Sequence, residues 1–152
     1  MGEPLGEASY ALWSEVALLF HDWGEFTYLF GSRPNRTELL NTAAPVFFRA
    51  VQVALFEATV LRIARLTDPP KSVGKSNLTV QQLPALADTA LVGDLTRLVE
   101  EAQEAAAFCR DWRNRSIAHR DLQLALSKDA EPLPDATIEK VKNAISAISA
   151  PF

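Results

Sequence analysis

The sequence predicts an all-α bundle, and three observations carry that expectation. Apolar residues recur at three- and four-residue intervals through four long stretches, the spacing of one helix face. Breaks separate the stretches at Gly31-Ser32-Arg33-Pro34-Asn35, at Asp68-Pro69-Pro70 and between Ser127 and Pro134. Alternating apolar and polar runs, the mark of strands, scarcely compete. Four main helices plus a short one, packed on one core, is the expected architecture. The 152 residues suit one domain, 1–152, and 48% hydrophobic with 22% charged residues is ordinary for a soluble globular chain.

The first helix is expected from Ala8 to about Phe30, with Leu12, Val16, Leu19, Trp23 and Phe26 on one face and Tyr10, Trp13, Phe20 and Tyr28 beside it. An aromatic ladder can stack bases, but no basic residue occurs between Met1 and Gly31, so core or a dimer interface is the expected use. His21 reads as structural or surface. After the turn at 31–35, a second helix is expected once Asn41 and Thr42 have served as caps, with Pro45 tolerated in its first turn. Its stripe is Phe47, Phe48, Val51, Leu55, Ala58 and Leu61. Asp68-Pro69-Pro70 ends it, because the residue before a proline is driven out of the helical region. Thr79 with Gln82 forms a capping box for a short helix that Pro84 permits only from its first turn. A third long helix runs through Leu95 to roughly Ile117 on a stripe of Leu95, Leu98, Ala102, Ala105, Cys109 and Trp112. The last is capped by Asp135 and carries Ile138, Val141, Ile145 and Ile148; ending at Pro151-Phe152, it reads as shortened from a longer native tail.

Several function classes fall away. Gly74-Lys75-Ser76 has the tail of a phosphate-binding loop, but that motif needs glycine where Pro69 stands and a preceding strand where a helix is expected. His119-Arg120-Asp121-Leu122 has the wording of a kinase catalytic loop, yet Leu126 stands where asparagine is needed and no glycine-rich loop exists. Cys109 is the only cysteine, so neither an intrachain disulfide nor a cysteine-based zinc site can form, and it reads as a small core residue. No cofactor or metal is expected. Met1-Gly2-Glu3-Pro4 lacks a basic secretory start, and no apolar run approaches the roughly 18 residues of a membrane span, so a cytoplasmic protein without membrane contact is expected.

The candidate site is Cys109-Arg110-Asp111-Trp112-Arg113-Asn114-Arg115-Ser116-Ile117-Ala118-His119-Arg120-Asp121. Here the apolar stripe, carried onward at its own spacing, reaches Ser116 and then His119 or Arg120, with Arg113 on its flank. Polar and ionisable groups thus replace apolar ones on the face that should be burying itself. Histidine ordinarily titrates at about 6.5, so it can give and take protons near neutrality. Arg113, Arg115 and Arg120 are permanent cations whose forked donors suit phosphate oxygens. The bland alternative is a helix end whose arginines are solvated or paired with Asp111 and Asp121. Net charge is −4, while residues 110 to 121 hold four arginines and two aspartates. Any contact with nucleic acid should therefore be local.

Arg113, five intervening residues beginning with Asn114, and His119 match the arginine, four to six residues, histidine motif of the HEPN superfamily. The wording from Arg113 to Asp121 resembles the abortive-infection U branch in particular. A second block, Ile63-Ala64-Arg65-Leu66-Thr67-Asp68-Pro69-Pro70-Lys71-Ser72 followed by Asn77-Leu78-Thr79, resembles a stretch that precedes the motif in that branch. The resemblance implies a HEPN-like helical bundle, commonly dimeric, whose active members are metal-independent ribonucleases acting as toxins or in phage defence. It makes Arg113 and His119 the catalytic candidates, with Asn114, Arg115 and Ser116 supporting and Arg110, Arg120, Arg62 and Arg65 contacting RNA. The implied site is composite, formed where the motif helices of two subunits meet. The other reading is a catalytically silent helical dimer that binds RNA or a protein partner such as a nucleotidyltransferase antitoxin.

Overall fold

The computed structural model describes residues 2–31, 33–72, 74–119, 121–126 and 130–152, and these form an all-α bundle. Its elements are α1 (Glu3–Phe30), α2 (Pro34–Ala43), α3 (Pro45–Leu66), a hairpin of β1 (Lys71–Ser72) and β2 (Lys75–Ser76), α4 (Leu83–Leu86), α5 (Thr89–Ala105), α6 (Ala107–Trp112), α7 (Leu122–Ala125) and α8 (Ile138–Ser149). Helix α1 packs along α3, α8 packs on α5, and α6 closes against α3. The core they enclose includes Leu12, Val16, Leu19, Val60, Ile63, Ala102, Cys109, Val141, Ile145 and Ile148, all buried. Burying each of the larger aliphatic side chains contributes about 1.5–3 kcal/mol, which is why this shared seam, not helix propensity, decides the arrangement.

The first helix follows its expected face: Leu12, Val16, Leu19 and Trp23 are buried, with Phe26 packed partly against them. Tyr10, Trp13, Phe20 and Tyr28 stand out from the core on the same helix. An aromatic chain then crosses the bundle. Trp23 stacks on Phe26, Phe26 lies 6.4 Å from Phe56, and Phe56 meets Trp112 edge-on at 5.2 Å. Such pairs add about 0.5–1.5 kcal/mol each beyond their burial, so they tie α6 firmly to α1 and α3.

Five expectations need correction. The stretch after Gly31 is not only a turn, since Pro34 opens α2; a proline in the first helical turn has no intrahelical bond to lose. Asn41 and Thr42 therefore lie inside α2 and cap nothing, and α3 starts from Ala44 without a side-chain cap. Helix α3 also buries a different face: Thr59, Val60, Ile63, Ala64 and Leu66 are inside, whereas Ala58 is exposed and Phe47 stands 61% exposed. Its first half is apolar on several sides, so periodicity alone could not choose the face. The expected long helix begins at Thr89 and breaks at Ala106, and α8 is capped by the Thr137 hydroxyl accepting from the Lys140 N–H in place of Asp135.

Cys109 sits in the core as expected, and burial pushes its thiol up to about 12. Maleimide at pH 8 should therefore leave the folded protein unlabelled and modify it only in denaturant, because the reactive species is the thiolate. Rapid stoichiometric labelling of native protein would contradict this burial. Among the described residues no helix is long and apolar enough to cross a membrane.

Candidate active site

The candidate motif begins where α6 ends, and the chain there changes its winding. Residues Arg113–Ile117 form a π turn, closed by the Ala118 N–H donating to the Arg113 carbonyl at 2.7 Å, five residues back. The Asp121 N–H then donates to the Arg115 carbonyl at 3.1 Å. Single π turns inside helical segments occur frequently at functional sites, because they re-aim side chains that a continuous helix would place differently. This one is held at its base by Trp112. The indole lies in the aromatic chain, and its N–H donates to the Pro134 carbonyl at 2.8 Å, drawing the segment before α8 over the turn. Arg115 fixes the same segment from the turn itself, donating to the Glu131 carbonyl.

Arg113 is anchored from two sides. Its Nη1 pairs with the Asp68 carboxylate, and its Nε donates to Asn114 Oδ1 at 3.0 Å. The two partners are mostly shielded, with side chains 25% and 19% exposed for Arg113 and Asp68. A guanidinium carries five N–H donors, so these two bonds orient the fork without exhausting it. Asp68 Oδ1 is buried with no hydrogen-bond partner among the described residues, an arrangement that asks for an explanation in any folded protein. A small rotation of Arg113 would place a second donor there and make the pair two-pronged.

Sequence reasoning misses Asp68 as a site residue, although it lies in the block preceding the motif. The structure shows what that block builds. The Thr79 hydroxyl lies 2.9 Å from the Leu66 carbonyl and 2.7 Å from the Asp68 carbonyl, sharing its one proton between them. Asn77 donates through its amide to the Pro69 carbonyl at 2.8 Å and through its backbone to Pro70 at 2.9 Å. Gln81 reaches the Thr67 carbonyl at 2.7 Å. Together these bonds satisfy the end of α3 and buckle the following chain against it, leaving the Asp68 carboxylate directed at Arg113. The threonine, aspartate and asparagine of the block thus form one device, and a partner for Arg113 could have been sought there.

His119 lies just beyond the π turn and is exposed, while Asn114 is exposed and Ser116 half-buried. Arg115 reaches Asp121 at 3.7 Å. Asp121 caps α7, and the backbone N–H groups of Leu124 and Gln123, helped by Arg115, hold its carboxyl below the usual range. A depressed carboxylate contributes stability above its unfolded pKa and loses it as pH falls through the lower folded value; the cap therefore persists into mildly acidic solution. Arg62 is clasped by Glu15 at 2.8 Å and Asp22 at 3.2 Å. Arg110 spends its donors on the carbonyls of Gln103 at 3.1 Å and Thr67 at 3.4 Å, where a cation suits the C-terminal end of α3. Arg65 is different: its side chain is 63% exposed, and its one ion-pair contact among the described residues is a long one of 3.8 Å to Glu15. Arg120 lies outside the described residues.

An all-α bundle carrying an arginine and a histidine, separated by five residues, at the end of a core helix is the layout of a HEPN domain. The family model for AbiU2 matches residues 2–150, and the chain belongs to this abortive-infection family of HEPN domains. Comparison with curated proteins and with solved structures gave no match.

Proposed function

We propose that the protein is a metal-independent endoribonuclease that acts in phage defence or as a toxin, working as a homodimer with composite sites. The observation that carries this reading is the Arg113 fork, oriented by Asp68 and Asn114 on a π turn, with the exposed imidazole of His119 just beyond. In the proposed reaction His119 takes the proton from an RNA 2′-hydroxyl, whose oxygen attacks the adjacent phosphorus. The bond from phosphorus to the 5′-oxygen breaks, and that oxygen receives a proton from His119 of the partner subunit. Arg113 offsets the charge gathering on the phosphoryl oxygens. The products are a 2′,3′-cyclic phosphate and a 5′-hydroxyl.

Support for the dimer comes from the aromatic residues of α1 that stand out from the core. Tyr10 is 76% and Tyr28 63% exposed, with Trp13 and Phe20 near half. Exposed aromatics in such number suit an isologous interface, and light scattering at micromolar concentration should report twice the chain mass.

A specific observation favours the second reading, a silent dimer that binds RNA or an antitoxin: Asp68 already neutralises the Arg113 charge. One experiment separates the two. Incubated with a labelled RNA panel in EDTA, the protein should cut RNA and leave 2′,3′-cyclic ends, and replacing the 2′-hydroxyl at the cut by hydrogen should stop it. Cleavage that needs magnesium, or equal cutting of DNA, would defeat the mechanism; intact RNA throughout would favour the silent dimer.

A further inference from the structure

Beside the Asp68–Arg113 pair lies an open groove of about 360 Å³, lined by Glu15, Arg65, Leu66, Asp68, Ser76, Asn77 and Leu78. Its far wall belongs to the β1–β2 hairpin, whose tight return uses Gly74 at φ 76°, in the left-handed region that favours glycine. The register is Lys71 opposite Ser76 and Ser72 opposite Lys75. Residues directly opposite one another in an antiparallel pair project from the same face, and successive residues from opposite faces. Lys71 therefore shares the face of Ser76, which lines the groove, whereas Lys75 projects from the other face. Both lysines are exposed. The bonds from Asn77 to Pro69 and Pro70 fix this hairpin to the end of α3, so its wall is set relative to Asp68.

Charge decides what the groove can hold. Two carboxylates line it, and both are engaged from outside the groove: Glu15 by Arg62 at 2.8 Å, a guanidinium it shares with Asp22, and Asp68 by Arg113. Arg65 lines the groove with its guanidinium largely in solvent and only loosely held by Glu15 at 3.8 Å, and Lys71, on the Ser76 face of the hairpin at the groove's edge, has no carboxylate within ion-pair distance among the described residues. A mobile phosphate chain suits such a wall better than a fixed small anion, because both cations are on long, exposed stems and no enclosed pocket surrounds them.

We infer that this groove is a second phosphate subsite, in which Lys71 and Arg65 hold the single-stranded RNA backbone next to the phosphate at Arg113. The inference rests on the ribonuclease reading for its ligand and adds to it the direction in which the strand leaves the site. The hairpin register makes it sharply testable, because two lysines of equal charge, four residues apart, are assigned opposite roles.

The probe is a fluorescein-labelled single-stranded RNA of mixed sequence with 2′-fluoro sugars, which the proposed reaction cannot cut. Its affinity for the full chain is measured by anisotropy across a salt series. For a single strand, each phosphate that the protein no longer neutralises lowers the slope of log affinity against log salt by about 0.7. Lys71→Gln should lower the slope by about that amount and weaken binding about threefold to tenfold at low salt. Lys71→Gln with Arg65→Gln should roughly double the change in slope, and Lys75→Gln should leave it unchanged. Equal weakening by Lys71→Gln and Lys75→Gln would reduce the effect to general charge and overturn the subsite, as would no weakening by either or no RNA binding by the wild type. The Lys71 pattern among the variants, together with wild-type protein that leaves ordinary RNA intact, would refute the ribonuclease reading while the subsite stands.

Discussion

His119→Ala should leave a folded bundle that binds RNA nearly as well as wild type and no longer cuts it detectably. The histidine is exposed beyond the π turn and contributes nothing to the core, so its removal should change stability by no more than about 0.5 kcal/mol. Removing a general acid or base typically costs about 10²- to 10⁴-fold in rate. Arg113→Lys should fail to a comparable degree for a different reason. Lysine keeps the charge, but a single ammonium cannot reproduce the planar fork that reaches Asp68 and Asn114 while presenting further donors to phosphate. Cleavage of a labelled RNA, anisotropy on an uncleavable one, and thermal melts together check the set. An Arg113→Lys protein that keeps most of its activity would show that arginine geometry is not what the site uses. A His119→Ala protein that unfolds would make the histidine structural.

What the sequence made legible, and what it hid, divides along physical lines. The faces of α1 and α8 could be read because apolar residues on them alternate with polar ones at helical spacing; Leu12, Val16, Leu19, Val141 and Ile145 are buried accordingly. Helix α3 defeated the same test because its first half is apolar nearly all round, so neighbours, not periodicity, choose the inner face. The π turn at Arg113–Ile117 is invisible to a periodicity argument, which assumes one winding throughout. Arg113 and His119 could be singled out by residue type and spacing. Asp68 could not, because its role depends on a contact across 45 positions in the chain, made only once Thr79 and Asn77 have folded the end of α3. Arg62 and Arg110 illustrate the converse: an arginine near a site reads as a phosphate ligand until the carboxylates or carbonyls that claim it are seen.

Asp68 carries the second large expected effect, and it should divide binding from turnover. Breaking a buried ion pair by removing one partner costs about 3–5 kcal/mol; with both side chains partly exposed, screening reduces this, and Asp68→Ala should lose about 1–3 kcal/mol of stability. Freed from its anchor, Arg113 would sample orientations away from the productive one, and a misplacement of about 1 Å can cost roughly 10²-fold in rate. Turnover should accordingly fall by about 10- to 100-fold in Asp68→Ala and less in Asp68→Asn, whose amide oxygen can still accept from Nη1. Binding should move the other way. Either change deletes a negative charge beside the RNA backbone, so KM should fall together with kcat, a combination that simple loss of folded protein does not produce. Steady-state cleavage of one labelled RNA by the three proteins, with melting curves to confirm that each is folded, measures both quantities. A rise in kcat for Asp68→Asn would instead make the pair a latch that holds Arg113 away from its phosphate, and unchanged kcat and KM would leave Asp68 with a purely structural part in closing the end of α3 onto the motif.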